Sequence, residues 1–167
     1  MIPDIVNKID EKEYVCFDKQ EDTLGFYRIS ANTIQDFAAL KIGWDRILNS
    51  FFIHEIPTEG EIEHAINDIE EVLMRNTHLA NSKKLNLYTD DEELAGYLDA
   101  DEKGISEYTR DEIEADFSRY ALLSMGRSPA YEGVMMESRK YAALLVLREV
   151  MHHLDFPILR IVKGEEK

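Results

Sequence analysis

The run Tyr141–Leu147, YAALLVL, constrains the fold more than any other stretch of this chain. It lies within a segment that reads as one long helix, from Tyr131 to Leu154. A helix that is apolar on every side needs cover on every side, at the centre of the molecule or within an interface. The run is far shorter than the roughly 20 apolar residues that cross a bilayer. The remaining sequence is able to build such a core. With 167 residues, of which 44% are hydrophobic and 32% charged, the chain is expected to form one domain that needs neither disulfides nor metals to hold together. The sequence divides into an N-terminal extension over residues 1–13, a folded body over 14–163 and a short tail over 164–167.

Around the central helix the pattern supplies the other elements in order. Tyr14–Phe17 (YVCF), Leu24–Ile29 and Thr33–Leu40 read as three consecutive strands. Trp44, Ile47, Leu48 and Phe51 recur at helical spacing over Gly43–Phe52. Three T-x-x-E sequences, Thr58 with Glu61, Thr89 with Glu92, and Thr109 with Glu112, have the form of a capping box, in which Thr and Glu each satisfy a free N–H of the other's backbone. Behind Thr58, the residues Ile62, Ala65, Ile66, Ile69, Val72 and Leu73 form one apolar stripe, and Ile113, Phe117, Tyr120 and Ala121 form another behind Thr109. Lys84–Tyr88 and Pro157–Val162 read as two further strands, and Asp99–Tyr108 as an acidic loop around Gly104. Three strands followed by alternating helices and strands predict an α/β fold, a mixed sheet of about five strands packed with helices. That element order is the one found in a single ribonuclease H-like or actin-like lobe.

The charge balance, 19 basic against 34 acidic residues for a net −15, disfavours nucleic acid and anionic membranes as partners, since both require a basic footprint. Cys16 is the one cysteine, which excludes an internal disulfide; inside a strand it reads as a buried small hydrophobe. The opening MIPDIVNKIDEKEY has no apolar h-region, so a cytoplasmic location is expected. The five histidines show no H-E-x-x-H or Cys/His spacing. His152 and His153 are adjacent and point about 100° apart on a helix, where they read as partners of the helix dipole. Asp99–Gly104 opens like a calcium loop, but Lys103 and Arg110 stand where the pattern requires oxygen ligands. Arg127, Arg139 and Lys140 are candidates for a small anion patch, though pairing with the abundant acids is the expected arrangement.

From Phe17 to Lys163 the sequence resembles the second lobe of the exopolyphosphatase/guanosine pentaphosphatase family, whose members carry two actin-like lobes in tandem. The resemblance rests on Asp18-Lys19-Gln20-Glu21-Asp22-Thr23 after the first strand and on ISANTIQDFAALKIGWDRI with Gly43 in place. It continues through PTEGEIEHAINDIEEVL, LNLYTDDEELAGYL, and Arg139 ahead of AALLVLREVMHHL and PILRIVKG. It implies two phosphate loops, at Asp18–Thr23 and at Thr89-Asp90-Asp91, and it implies a first lobe that this sequence does not contain. Glycine loops hold phosphate because bare backbone N–H groups approach the anion closely. Here the first loop reads KQED and the second TDD, so Asp18, Thr23, Thr89, Asp90 and Asp91 are vestigial loop positions. A phosphate chain would be repelled by Asp90, Asp91 and Glu92.

Two functions are consistent with these residues. The first is a non-catalytic binding or interaction module, without cofactor, that works as a homodimer or with another protein. A C2 copy would cover the apolar helix. The alternative is a Mg²⁺-dependent phosphohydrolase or nuclease, with Asp18 and Asp90 at the ends of the first and fourth strands holding the metal.

Overall fold

Three consecutive strands, β1 (Glu13–Gln20), β2 (Thr23–Ser30) and β3 (Thr33–Leu40), form an antiparallel meander in the computed structural model, which describes residues 4–79 and 83–164. β1 runs beyond Phe17, because its ladder with β2 continues from Glu13↔Ser30 to Gln20↔Thr23. Asp18 and Lys19 are therefore strand residues, not members of a loop beyond the strand. β4 (Leu87–Thr89) lies parallel to β1, and β6 (Ile158–Lys163) lies parallel to β4.

The sheet has six strands in the order β3-β2-β1-β4-β6-β5. The extra strand, β5 (Gly104–Thr109), falls in the stretch expected to be a loop and pairs antiparallel with β6. Its sequence, GISEYT, offers too few apolar residues on either face to read as a strand. Ladder bonds to β6 hold it, not burial, as edge strands allow.

Helices α1 (Trp44–Ser50), α2 (Glu59–Arg75), α3 (Glu92–Tyr97), α4 (Arg110–Ser124), α5 (Pro129–Glu132) and α6 (Ser138–His153) complete the described residues. The capping boxes at Thr58 and Thr109 form as expected. The third does not. Asp91 caps α3, its carboxylate accepting from Leu94 N at 2.7 Å, and Thr89 Oγ1 accepts from Asp91 N. The aspartate wins because it stands at the residue directly before the helix, where a charged acceptor also meets the dipole. The long helix from Tyr131 is likewise divided: α5 stops at Gly133, which takes φ +64°, and α6 starts only at Ser138.

Every residue of Tyr141–Leu147 is buried by this chain alone. α6 packs against α1, α2, α3 and α4, and its apolar residues join those of the sheet's inner face, among them Val15, Phe17, Phe26, Leu159 and Ile161. The cover that the sequence could have drawn from a second copy is thus supplied internally. The sheet's other face carries a second cluster. There a 3₁₀ turn, Asp4–Lys8, followed by Ile9, lays Ile5, Val6 and Ile9 over Tyr14, Cys16, Tyr27, Ile29, Tyr88 and Val162. Through Ile5, Val6 and Ile9 the sequence's N-terminal extension packs onto the sheet. Residues 1–3 of that extension, and the tail beyond Gly164, lie outside the described residues. Among the described residues, no helix is long and apolar enough to cross a membrane.

Cys16 is fully enclosed in this second cluster. Burial, followed by the charges of Asp18 and Asp90, pushes its thiol up to about 12. In the native protein Cys16 is expected to resist Ellman's reagent at mildly alkaline pH and to react completely once denaturant is added. Rapid labelling of the folded protein would contradict this packing.

Candidate functional site

Open sheets with parallel strands place ligands outside the carboxyl ends of those strands. In this chain β1, β4 and β6 are mutually parallel neighbours and end at Gln20, Thr89 and Lys163. Strand alternation sends Lys19 toward the helices and Asp18 toward the opposite face, which divides the site in two.

On the helix side, Lys19 Nζ lies 5.2 Å from the Trp44 ring centroid and pairs with Asp45. Arg139, in the first turn of α6, grips Glu93 with Nε at 3.1 Å and Nη2 at 2.9 Å, and its Nη1 reaches Asp45. The same Glu93 oxygen accepts from Trp44 Nε1 at 3.0 Å and from the Tyr97 hydroxyl at 2.9 Å. One ion network therefore ties β1, α1, α3 and α6 together. Burial raises the Asp45 and Glu93 carboxyls, but hydrogen bonds outweigh it and both are held below the usual range. Lys19 and Arg139 do this for Asp45, and Arg139, Tyr97 and Trp44 for Glu93. On this helix side both cations, Lys19 and Arg139, are already neutralised by the protein's own acids.

On the opposite face, Asp18 Oδ2 accepts from Gln20 Nε2 at 3.1 Å. Its Oδ1 lies over Gly25, where a Cβ would approach to 2.5 Å. The Tyr27 hydroxyl is raised by burial first and then by its interaction with Asp18. Asp90, one residue beyond β4, lines a pocket of about 400 Å³ with Glu92, Glu102, Lys8 and Lys163. Asp18 and Asp90 stand on the same side of the sheet, both close enough to act on the Cys16 thiol. Among the described residues, neither belongs to a group of three or more His, Cys, Asp or Glu side chains whose ligand atoms lie within 4.8 Å of one another.

The two expected phosphate loops have other occupations. The first is the tight turn Glu21–Asp22 between β1 and β2, with Glu21 at φ +49° and Thr23 Oγ1 donating to Gln20 O at 3.1 Å. Gly43 is packed against this turn. Its N–H donates to Asp22 O at 2.9 Å, and a Cβ there would sit 2.5 Å from Glu21 O and 2.7 Å from Asp22 C. This glycine serves a close chain crossing, not an anion. In the second loop Thr89 is fully buried and Asp91 spends its carboxylate on the start of α3. Burial pushes the Asp91 carboxyl up, more than the Leu94 N–H and Lys19 pull it down.

The candidate anion patch of Arg127, Arg139 and Lys140 does not assemble, and the two arginines pair with acids as expected. Arg139 is drawn to Glu93 and Asp45, while Arg127 pairs with Glu132 and lies over the Tyr131 ring, and Lys140 lies over Tyr120. Sequence reasoning missed the Trp44–Asp45–Glu93–Tyr97 part of the network. Its one available signal was that Trp44 and Asp45 open one short helix while Glu93 and Tyr97 stand four apart on another.

No protein-family model matches this sequence, and no curated protein matches it either. Solved structures do. The PPX-GPPA enzyme of Aquifex aeolicus superposes with a TM-score of 0.73 at 14% identity, over 95% of this chain and 56% of its own. An exopolyphosphatase-like protein gives 0.68 at 10% identity, over 93% and 57%. An exopolyphosphatase from Cytophaga hutchinsonii gives 0.64 at 13% identity, over 93% and 54%. The likeness is one of fold, and it matches the α/β architecture of an actin-like lobe expected from the sequence. The chain spans little more than half the length of the structures it matches.

Two variants test this description. Gly43→Ala forces a methyl into backbone atoms and is expected to cost about 1–3 kcal/mol, lowering Tm by roughly 2–4 °C for each. Arg139→Ala is expected to cost about 2 kcal/mol near neutral pH, at the low end for charged hydrogen bonds because the network is part-exposed. Asp45 and Glu93 have lowered folded-state values, so their contribution is present above the ordinary carboxylate range and is lost as pH falls through those values. The gap between wild type and Arg139→Ala should therefore narrow below about pH 4, as measured by urea unfolding at a series of pH values.

Proposed function

We propose that this chain is a non-catalytic binding module related to exopolyphosphatase-type phosphatases, with its phosphate-loop positions given over to acidic side chains. One observation carries the reading. At the strand ends where such folds take their ligand, Asp18, Asp90, Asp91 and Glu92 present carboxylates, while Lys19 and Arg139 are paired with Asp45 and Glu93. An incoming phosphate chain would need to displace one of those acids from its cation, against the like charge of Asp18, Asp90, Asp91 and Glu92. Even the pocket beside Asp90 sets three carboxylates against two ammonium groups.

The short helices α1 and α3 give no compensation. α3 has its first turn capped by Asp91, and Gly43 at the start of α1 is closed off by the Glu21–Asp22 turn. Asp18 is held by Gln20 and packed over Gly25, an arrangement that suits a structural carboxylate. The net charge of −15 directs the module away from nucleic acid and anionic membranes, which leaves a protein, another chain or a second copy, as its partner.

The test is a thermal-melt titration of the purified chain with Mg²⁺ and Mn²⁺, with and without polyphosphate and guanine nucleotides, together with an assay for released phosphate. A ligand that binds only the native state raises Tm by mass action. Unchanged melting with polyphosphate and nucleotides, and no phosphate release, is the expected outcome. A saturable rise or phosphate release that Asp18→Asn abolishes would replace this reading with a metal-dependent phosphohydrolase using Asp18 and Asp90.

A further inference from the structure

At the far end of α6 from Arg139, about 20 Å away by the helical rise, a different set of side chains converges. Glu149 is 2% exposed, a carboxylate set among the buried apolar residues of α6. Four residues later, on the same face of the helix, comes His153. α2 packs alongside and contributes Glu70. His153 Nε2 lies 3.1 Å from Glu149 Oε2 and 3.1 Å from Glu70 Oε1. One ligand atom from each of the three lies within 4.8 Å of the others, and among the described residues this is the one group of His, Cys, Asp and Glu that meets that condition.

We propose that Glu70, Glu149 and His153 form a binding site for a divalent transition-metal ion, with Zn²⁺ the best match. A tetrahedral ion with bonds of about 2.0 Å separates its ligands by about 3.3 Å. The observed spacings of His153 from each carboxylate thus need only slight widening to admit it. One imidazole nitrogen with two carboxylate oxygens suits zinc and its first-row neighbours, whereas Mg²⁺ and Ca²⁺ favour oxygen alone.

The surroundings support the geometry. The other oxygen of Glu149 accepts from Arg148, whose guanidinium also binds Glu114 of α4 at 2.6 Å. That contact fixes the carboxylate's direction and leaves Oε2 aimed at His153, as outer partners of metal ligands do. Glu70 and His153 are half-buried, so an ion has a way in and water can complete the coordination.

The test is calorimetric titration of the tag-free chain with Zn²⁺, repeated with Co²⁺ to record the visible absorption of a nitrogen–oxygen site. One ion per chain is expected, with a rise in Tm. His153→Gln and Glu149→Gln should each weaken binding by at least about 10–100-fold, while His152→Gln and Asp18→Asn leave it intact. Should Glu149→Gln fail to fold, Glu70→Gln on the helix surface gives the same decision. Absence of saturable binding at submillimolar Zn²⁺, or binding that survives His153→Gln, would overturn the site. Neither result bears on the Asp18 face, so this outcome is separate from that of the phosphate-site test.

Discussion

Complete burial of the Tyr141–Leu147 turns of α6 is the constraint on which the remaining architecture depends. A helix with no polar face must be enclosed by a sheet on one side and helices on the others. That requirement accounts for the placement of α1, α2, α3 and α4 around it. Each buried Leu or Val is worth about 1.5–3 kcal/mol relative to exposure. The cluster that α6 shares with the inner face of the sheet is therefore the main source of stability. The aromatic group of Phe52, Phe117 and Tyr120 around Tyr141 closes its upper end, with the Tyr141 hydroxyl satisfied by Ser124 at 2.9 Å. Polar chemistry is pushed to the two ends of α6. Arg139 gathers acids at one end, and His153 and Glu149 meet Glu70 at the other.

The end near Arg139 shows acids and cations of the same chain satisfying one another. In a fold of this kind the carboxyl ends of the parallel strands are the natural place for an anion. Here Lys19 and Arg139 pair with Asp45 and Glu93, and a helix-start donor of α3 is met by Asp91 of the same loop. Such a network is worth little per ion pair at a surface. Its value lies in fixing the mutual positions of β1, α1, α3 and α6.

Much of this was readable from the sequence. The first three strands, the Thr58 and Thr109 capping boxes and the apolar stripes of α2 and α4 all followed from periodicity and cap chemistry. β5 was not, because an edge strand held by ladder bonds leaves almost no hydrophobic pattern. The break at Gly133 was hidden for a related reason: Tyr131, Met135 and Met136 keep an apolar rhythm across it, although Met135 is exposed. The Thr89–Glu92 spacing imitated a capping box, and Asp91, two residues nearer the helix, took the position instead. At the site, the identities of Asp18 and Asp90 were visible but their roles were not. Whether a carboxylate faces a metal, a glycine or a neighbouring amide depends on strand parity, and β1 extends three residues further than its apolar run indicates. The Glu149–His153 pair needed Glu70 from another helix to have any meaning, and no local pattern announces such a partner.

The strand order carries a consequence for how the polypeptide is made. β5 has a single neighbour, β6, which lies between it and β4 while following it in the chain. From Thr109 at the end of β5 to Ile158 at the start of β6, three helices and their connections must be synthesised. At about 5–20 residues per second, a nascent chain waits several seconds with β4 open along one edge and β5 unpaired. Through that interval the finished meander of β1, β2 and β3 offers a half-built sheet to any passing strand. The waiting segment and its flanks carry Glu102, Glu107, Asp111 and Glu112, and charged side chains are what discourages edge-to-edge pairing of an open sheet.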